Sequence, residues 1–142
     1  SPDIILHLRP TSPFKTPELL TAVLDKMQQT GAKLVRTMTK TNGASHPYWM
    51  YKLNENGMAT PFVEDVKVSS FYQSQLLPAV FRLNGVVDAI KPSILKNKDR
   101  YKDEKSMAIV EVPEVQAFDI DTELDFIICE LLIKYASNQL SL

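Results

Sequence analysis

Ile4-Ile5-Leu6-His7-Leu8-Arg9-Pro10-Thr11-Ser12-Pro13-Phe14-Lys15-Thr16-Pro17-Glu18 decides the fold class, because it reads in order as a strand, a stiff loop and a helix start. The run Ile4 to Leu8 has the continuous apolar character of a buried parallel strand. Thr16 is placed as an N-cap, Pro17 at the first helical position and Glu18 in the first turn. Leu19, Leu20, Val23, Leu24 and Met27 then form one apolar helix face, and Gly31 is placed to close the helix as a C-terminal cap. Lys33 to Met38 reads as a second strand. Strand, helix and strand make a right-handed βαβ unit, so the chain is expected to be an α/β protein.

In open α/β sheets ligands bind beyond the carboxyl ends of the strands, which places the Arg9 to Lys15 loop at the mouth of a site. Arg9 and Lys15 supply cations for anionic oxygens, Thr11 and Ser12 supply hydroxyls and backbone donors, and Pro10 and Pro13 stiffen the loop. The alternative is a rigid connection whose polar residues are incidental.

The second informative stretch is Asp119-Ile120-Asp121-Thr122-Glu123-Leu124-Asp125-Phe126. It is expected at the junction of a strand-like segment and a helix that starts at or just before Thr122. Leu124, Ile127, Ile128, Leu131, Leu132 and Tyr135 recur at helical spacing as its apolar face. If Asp119 and Asp121 are extended, their side chains share a face and both reach one hard cation such as Mg²⁺, which commonly takes one or two carboxylates and completes its shell with water and phosphate oxygens. Glu123 and Asp125 belong to the helix start, with Asp121 or Thr122 as the cap. Asp119 lies before any cap. Standing alone, an Asp-x-Asp pair is more often structural than metal-binding.

The chain has 142 residues, 44% of them hydrophobic, with Lys+Arg 16 against Asp+Glu 17. That suits a single globular domain, residues 1–142, able to bury a core. Near-neutral charge argues against a nucleic-acid partner. The richest basic run, Lys96, Lys98, Arg100, Lys102 and Lys105, is diluted by Asp99, Asp103 and Glu104 and reads as a solvated loop. Cys129, the single cysteine, is expected to pack as a small apolar group and permits no internal disulfide. No apolar run approaches a membrane span and no signal peptide is recognisable, so a cytoplasmic location is the default expectation. His46 has no second histidine at ligand spacing, His7 being expected inside a buried strand, so zinc is not expected.

Residues 44–80 read as a hairpin excursion, with His46 to Leu53 and Met58 to Val63 as its strands and turns at Asn42-Gly43 and Asn54 to Gly57. Its Tyr48, Trp49, Met50, Tyr51, Phe62, Phe71 and Tyr72 suit a subunit contact or a local satellite core. Beyond it, Arg82 precedes the core strand Val86 to Ile90, where a cation is costly unless it meets an anion, which makes it a ligand candidate.

Leu8-Arg9-Pro10-Thr11-Ser12-Pro13-Phe14-Lys15, His46-Pro47, Leu77-Pro78, Phe81-Arg82-Leu83-Asn84-Gly85, Val112-Pro113-Glu114 and Asp119 to Phe126 together resemble, in order and spacing, the acylneuraminate cytidylyltransferases, the CMP-sialic acid synthetases. The resemblance covers almost the whole chain. It implies a Rossmann-like nucleotide-diphospho-sugar transferase fold with a mixed sheet, and a homodimer formed through the excursion. It further implies a reaction of CTP with a nonulosonic acid, giving a CMP-sugar and pyrophosphate with Mg²⁺. By that resemblance Asp119 and Asp121 carry the metal, and these two with Arg82 are the catalytic candidates. Arg9, Thr11 and Ser12 match the acid-sugar loop, and Arg82 with Asn84 matches an Arg-x-Asn-Gly site motif.

Many sialic acid enzymes carry Gln-Pro-Thr-Ser-Pro-Leu-Arg where this chain has Arg9 and Lys15, which leaves the sugar open. Family members also open with a nucleotide-binding segment of the Ala-Arg-x-Gly-Ser-Lys-Gly kind, which nothing here matches. This chain is therefore expected to be the later part of a longer protein, with early strands and most of the CTP site supplied upstream. The unpaired sheet edge left by those strands predicts pairing with another chain or origin from an intact fold. The competing expectation is a non-catalytic dimerisation or acid-sugar-binding module. A cytidylyltransferase for the eight-carbon acid Kdo would share the reaction and differ in substrate.

Overall fold

Helix α1, Pro17–Thr30, forms where its capping residues place it. Thr16 is extended and its hydroxyl accepts the Leu19 N–H at 3.3 Å, while Gly31 takes the left-handed conformation at φ 67° and returns its N–H to the Met27 carbonyl at 3.0 Å. The computed structural model describes residues 2–95 and 107–136, so the basic run Lys96 to Lys105 lies outside the described residues, as does the side chain of Tyr135. The chain divides into two units, Ser1–Thr39 with Leu83–Leu142, and Lys40–Arg82.

The other elements, numbered in chain order, are β1 (Ile5–Leu8), β2 (Leu34–Thr41), β3 (Tyr51–Leu53), β4 (Ala59–Pro61), β5 (Val80–Ile90), α2 (Pro92–Leu95), β6 (Met107–Glu111) and α3 (Glu123–Ala136). Four strands form a mixed sheet in the order β1-β5-β2-β6, making this an α/β protein. β1 pairs antiparallel with β5, Leu8 facing Val87, and β2 pairs parallel with β6, Met38 facing Glu111. Lys91 donates its N–H to the Lys33 carbonyl at 2.9 Å, and further along Val87 meets Thr37, so β5 also opposes β2. The expected strand, helix, strand succession is present, but β5 lies between its two strands.

That insertion corrects two expectations. β1 is an edge strand beside an antiparallel neighbour, not a buried parallel one, and it covers only one face. Ile4 and Leu6 pack against the α1 core while the His7 side chain is 56% exposed. The core under α1 comprises Leu19, Val23, Met27, Val35, Val86, Val87, Ala89, Val112 and Ala117. Because successive strand residues point to opposite faces, Leu34 and Ile90 instead join Ile94 of α2 and Met107 in a second cluster. On this second face Arg36 grips the buried Asp88 in a fork, Nε to Oδ1 at 3.0 Å and Nη2 to Oδ2 at 3.2 Å.

Helix α3 packs through Ile128, the buried Cys129 and Leu132, while Leu124, Ile127 and Leu131 of the expected apolar face are exposed. The helix is apolar around most of its circumference, so spacing alone does not select the packed side.

The unit Lys40–Arg82 contains the expected hairpin as β3 and β4, with Tyr51 opposite Pro61. The longer strand expected over His46 to Leu53 is broken by a 3₁₀ turn at Pro47–Trp49, capped by the His46 ring, whose Nδ1 accepts the Tyr48 N–H at 3.1 Å. The other ring nitrogen of His46 meets the Pro78 carbonyl at 3.0 Å. Tyr48 packs edge-on against His46 and Phe71, and Trp49 donates its indole N–H to the Phe71 carbonyl at 2.7 Å. These form a local core. Met50, Tyr51, Phe62 and Tyr72 remain exposed.

Candidate functional site

β1, β2 and β6 end on the same side of the sheet, and the segments that follow β1 and β6 meet there. The Ile120 N–H donates to the Thr11 carbonyl at 2.9 Å, which fixes the approach to α3 against the loop between β1 and α1. Arg9 thereby reaches Asp119, Nη1 lying 3.8 Å from Oδ2. Arg9, Thr11, Ser12 and Asp119, assembled from the two ends of the chain, form one constellation.

Asp119 is not at the end of a strand as expected. β6 stops at Glu111, and a turn over residues 114–117 returns the chain through buried Ala117 before Asp119. The Asp119 side chain is 26% exposed and Asp121 is exposed. Thr122 is the cap of α3. Its hydroxyl accepts the Asp125 N–H at 3.2 Å, and Asp125 Oδ2 returns to the Thr122 N–H at 2.8 Å, a reciprocal capping box. Asp125 also accepts the Asp121 N–H at 3.2 Å. The hydrogen bonds from Thr122 hold the Asp125 carboxyl below its ordinary range. The capping assignment thus accounts for Asp125 and leaves Asp119 aside.

Two buried oxygens in the constellation lack a hydrogen-bond partner among the described residues, Ser12 Oγ and Asp119 Oδ1. Buried polar atoms are nearly always satisfied, so these two oxygens stand out within the constellation. Lys15 acts differently from expectation. Its ammonium group donates to the carbonyls of Arg9 and Ser12, tying the loop to itself, and burial lowers its pKa while the Asp119 charge opposes that shift. A hollow of about 510 Å³ opens beside the loop, walled by Pro13, Phe14, Lys15, Glu18 and Ile133.

Asn84 is 7% exposed and its amide is committed inside the protein. Its Oδ1 accepts the Thr37 hydroxyl at 2.6 Å and the Val86 N–H at 3.2 Å, and its Nδ2 donates to Thr39 Oγ1 at 2.9 Å. Thr39 passes the chain on to the Val112 carbonyl at 2.9 Å. This relay ties β5 through β2 to the residue after β6. Arg82, expected to need an anion because it precedes a buried strand, is exposed on the outer part of β5, within the unit Lys40–Arg82, so burial supplies no such demand.

Thr37, Thr39 and the part played by Gly85 escaped the sequence reading. Thr37 and Thr39 look like ordinary strand residues, and Gly85 entered only as the last position of the Arg-x-Asn-Gly motif. Gly85 sits inside β5 with φ 67°, and the Asn84-Gly85 pair is also a common turn signal.

As to cations, Asp119 has one carboxylate oxygen without a hydrogen-bond partner among the described residues, and Asp121 is a second carboxylate two residues on. Among the described residues no three His, Cys, Asp or Glu side chains gather, so a metal here would take at most these two carboxylates and fill its shell from water and ligand oxygens. No family model matches the chain and no curated protein matches it. Among the described residues no helix is long and apolar enough to cross a membrane.

Proposed function

We propose that this chain carries the acid-sugar and metal residues of a cytidylyltransferase that joins CTP to a nonulosonic acid, releasing pyrophosphate. The observation that carries the proposal is the meeting of the Arg9 loop with Asp119, each contributing a buried, unpartnered oxygen. An arginine can meet the acid group of the sugar, and a carboxylate can hold a cation that offsets the charge of the triphosphate, which suits a reaction between two anions.

Arg9 offers a planar fork matched to the sugar carboxylate. Ser12 Oγ and the Thr11 hydroxyl offer hydrogen bonds to sugar oxygens, and the apolar wall at Pro13 and Phe14 suits an acyl substituent. Asp119 and Asp121 would hold Mg²⁺, which when bound supplies charge stabilisation at the α-phosphoryl oxygens. Lys15 keeps the loop shaped by bonding its own carbonyls, and Asn84 supports the site from beneath. A homodimer through the exposed aromatic surface of Lys40–Arg82 belongs to the same proposal.

The test is CTP-dependent pyrophosphate release by the intact protein across a panel of nonulosonic acids with Mg²⁺. Release with one of them establishes the reaction and names the sugar. No release with any, in a folded protein that still binds an acid, favours a non-catalytic binding module.

A further inference from the structure

We infer that Gly85 is a positioning residue whose missing side chain makes the seat for the Arg9 guanidinium; the inference rests on the proposed role of Arg9 in holding an acid. A Cβ placed on Gly85 would lie 2.6 Å from Arg9 Cζ, 2.6 Å from Nε and 3.0 Å from Nη2. Those distances are inside van der Waals contact. The edge of the guanidinium therefore rests on the Gly85 backbone, and the remaining nitrogen, Nη1, is the one that faces Asp119 at 3.8 Å.

The seat is built by its neighbours. β1 and β5 stay paired as far as Leu8 and Val87, so Arg9 leaves β1 beside the segment that holds Gly85. Asn84 accepts the Val86 N–H across Gly85, bending the strand at that residue into the left-handed conformation at φ 67°. Asn84 is itself fixed by Thr37 and Thr39. The relay thus fixes the stretch of β5 on which Arg9 rests.

Adding a methyl group at position 85 has two separable effects. The left-handed backbone strains any residue with a Cβ, and that strain is the same whatever stands at position 9. The clash with Arg9 is specific. Because a guanidinium is the far end of a flexible side chain, Arg9 yields by swinging off the seat and away from Asp119, at little cost to folding. Gly85→Ala is therefore expected to leave a folded protein whose arginine is misplaced.

The experiment uses the intact protein, with N-acetylneuraminic acid as the probe titrated calorimetrically into wild type, Gly85→Ala, Arg9→Ala and the double variant. A crystal structure of Gly85→Ala accompanies the titrations. The expected result is an Arg9 to Asp119 separation well beyond the present one, and an acid affinity about tenfold to hundredfold lower in each single variant, the range for a charged hydrogen-bonding partner. The double variant is expected to bind no worse than Arg9→Ala. Should Gly85→Ala fold poorly, Gly85→Asn keeps the Cβ on a residue more tolerant of the left-handed backbone. Arg9 unmoved in the variant structure, or losses that multiply in the double variant, would overturn the inference. If the wild type binds neither this acid nor others of its class, the acid-sugar reading fails, while the variant structure still decides whether Gly85 positions Arg9.

Discussion

Asn84→Ala separates a supporting role from direct ligand contact, and its cost follows from the relay. The substitution removes hydrogen bonds of 2.6, 3.2 and 2.9 Å at a residue 7% exposed. Thr37 retains an alternative, because its hydroxyl proton also reaches the Val87 carbonyl at 3.1 Å. The Val86 N–H loses its bond to Asn84 inside a fully buried residue, and Thr39 loses its donor while still bonding Val112. An unsatisfied buried donor costs about 1–3 kcal/mol and each ordinary bond about 1 kcal/mol, so the total is about 3 kcal/mol. For 142 residues the entropy of unfolding is about 0.3 kcal/mol per K, which converts that loss to a fall in Tm of about 10 °C. Thermal unfolding followed by circular dichroism measures it. A surface ligand group would change stability by less than about 0.5 kcal/mol. A variant melting within about 2 °C of wild type on the same conversion, with only acid affinity reduced, would refute the relay and restore Asn84 to direct contact.

Asp88→Asn should cost about 3 kcal/mol, because it removes the buried charge that the Arg36 fork grips; replacing Arg36 and Asp88 together by apolar residues should recover most of it, and chemical denaturation of the variants compares them. Asp121→Asn is expected to abolish pyrophosphate release without lowering Tm, since Asp121 is exposed; unchanged turnover in the intact protein removes the metal assignment. At the start of α3, the Asp125 carboxyl titrates below its unfolded value, so its contribution is complete above the ordinary aspartate value of 3.8 and disappears as pH falls through the lowered one. Hydrogen-exchange protection of the Thr122 amide should follow that loss in wild type, and a Thr122→Ala protein, which keeps only the backbone donors to Asp125, should show a smaller acid-dependent stability change, a difference whose absence would discard the cap.

The local chemistry around α1 was legible in the sequence because every element of it is short-range. Thr16, Pro17 and Gly31 act within one turn of their own positions, so order and spacing suffice. The start of α3 was legible for the same reason through Thr122 and Asp125. Residues 44–80 were recognisable as something apart because turn residues punctuate short, weakly periodic segments. His46 to Leu53 misled because aromatic, strand-like composition was overridden by the imide of Pro47 and the cap from the His46 ring.

What the sequence by itself determined was the α/β class, the caps, and the two loops that carry the polar candidates. Only the tertiary structure decided that β5 separates β1 from β2, that Lys15 bonds its own loop, that Asn84 faces inward, and that Arg9 rests on Gly85. The physical reason is one of range. Capping and periodicity are fixed by neighbours within a few residues, whereas strand order, burial and the fate of a side-chain hydrogen bond depend on partners such as Thr37 and Asn84, 47 positions apart along the chain.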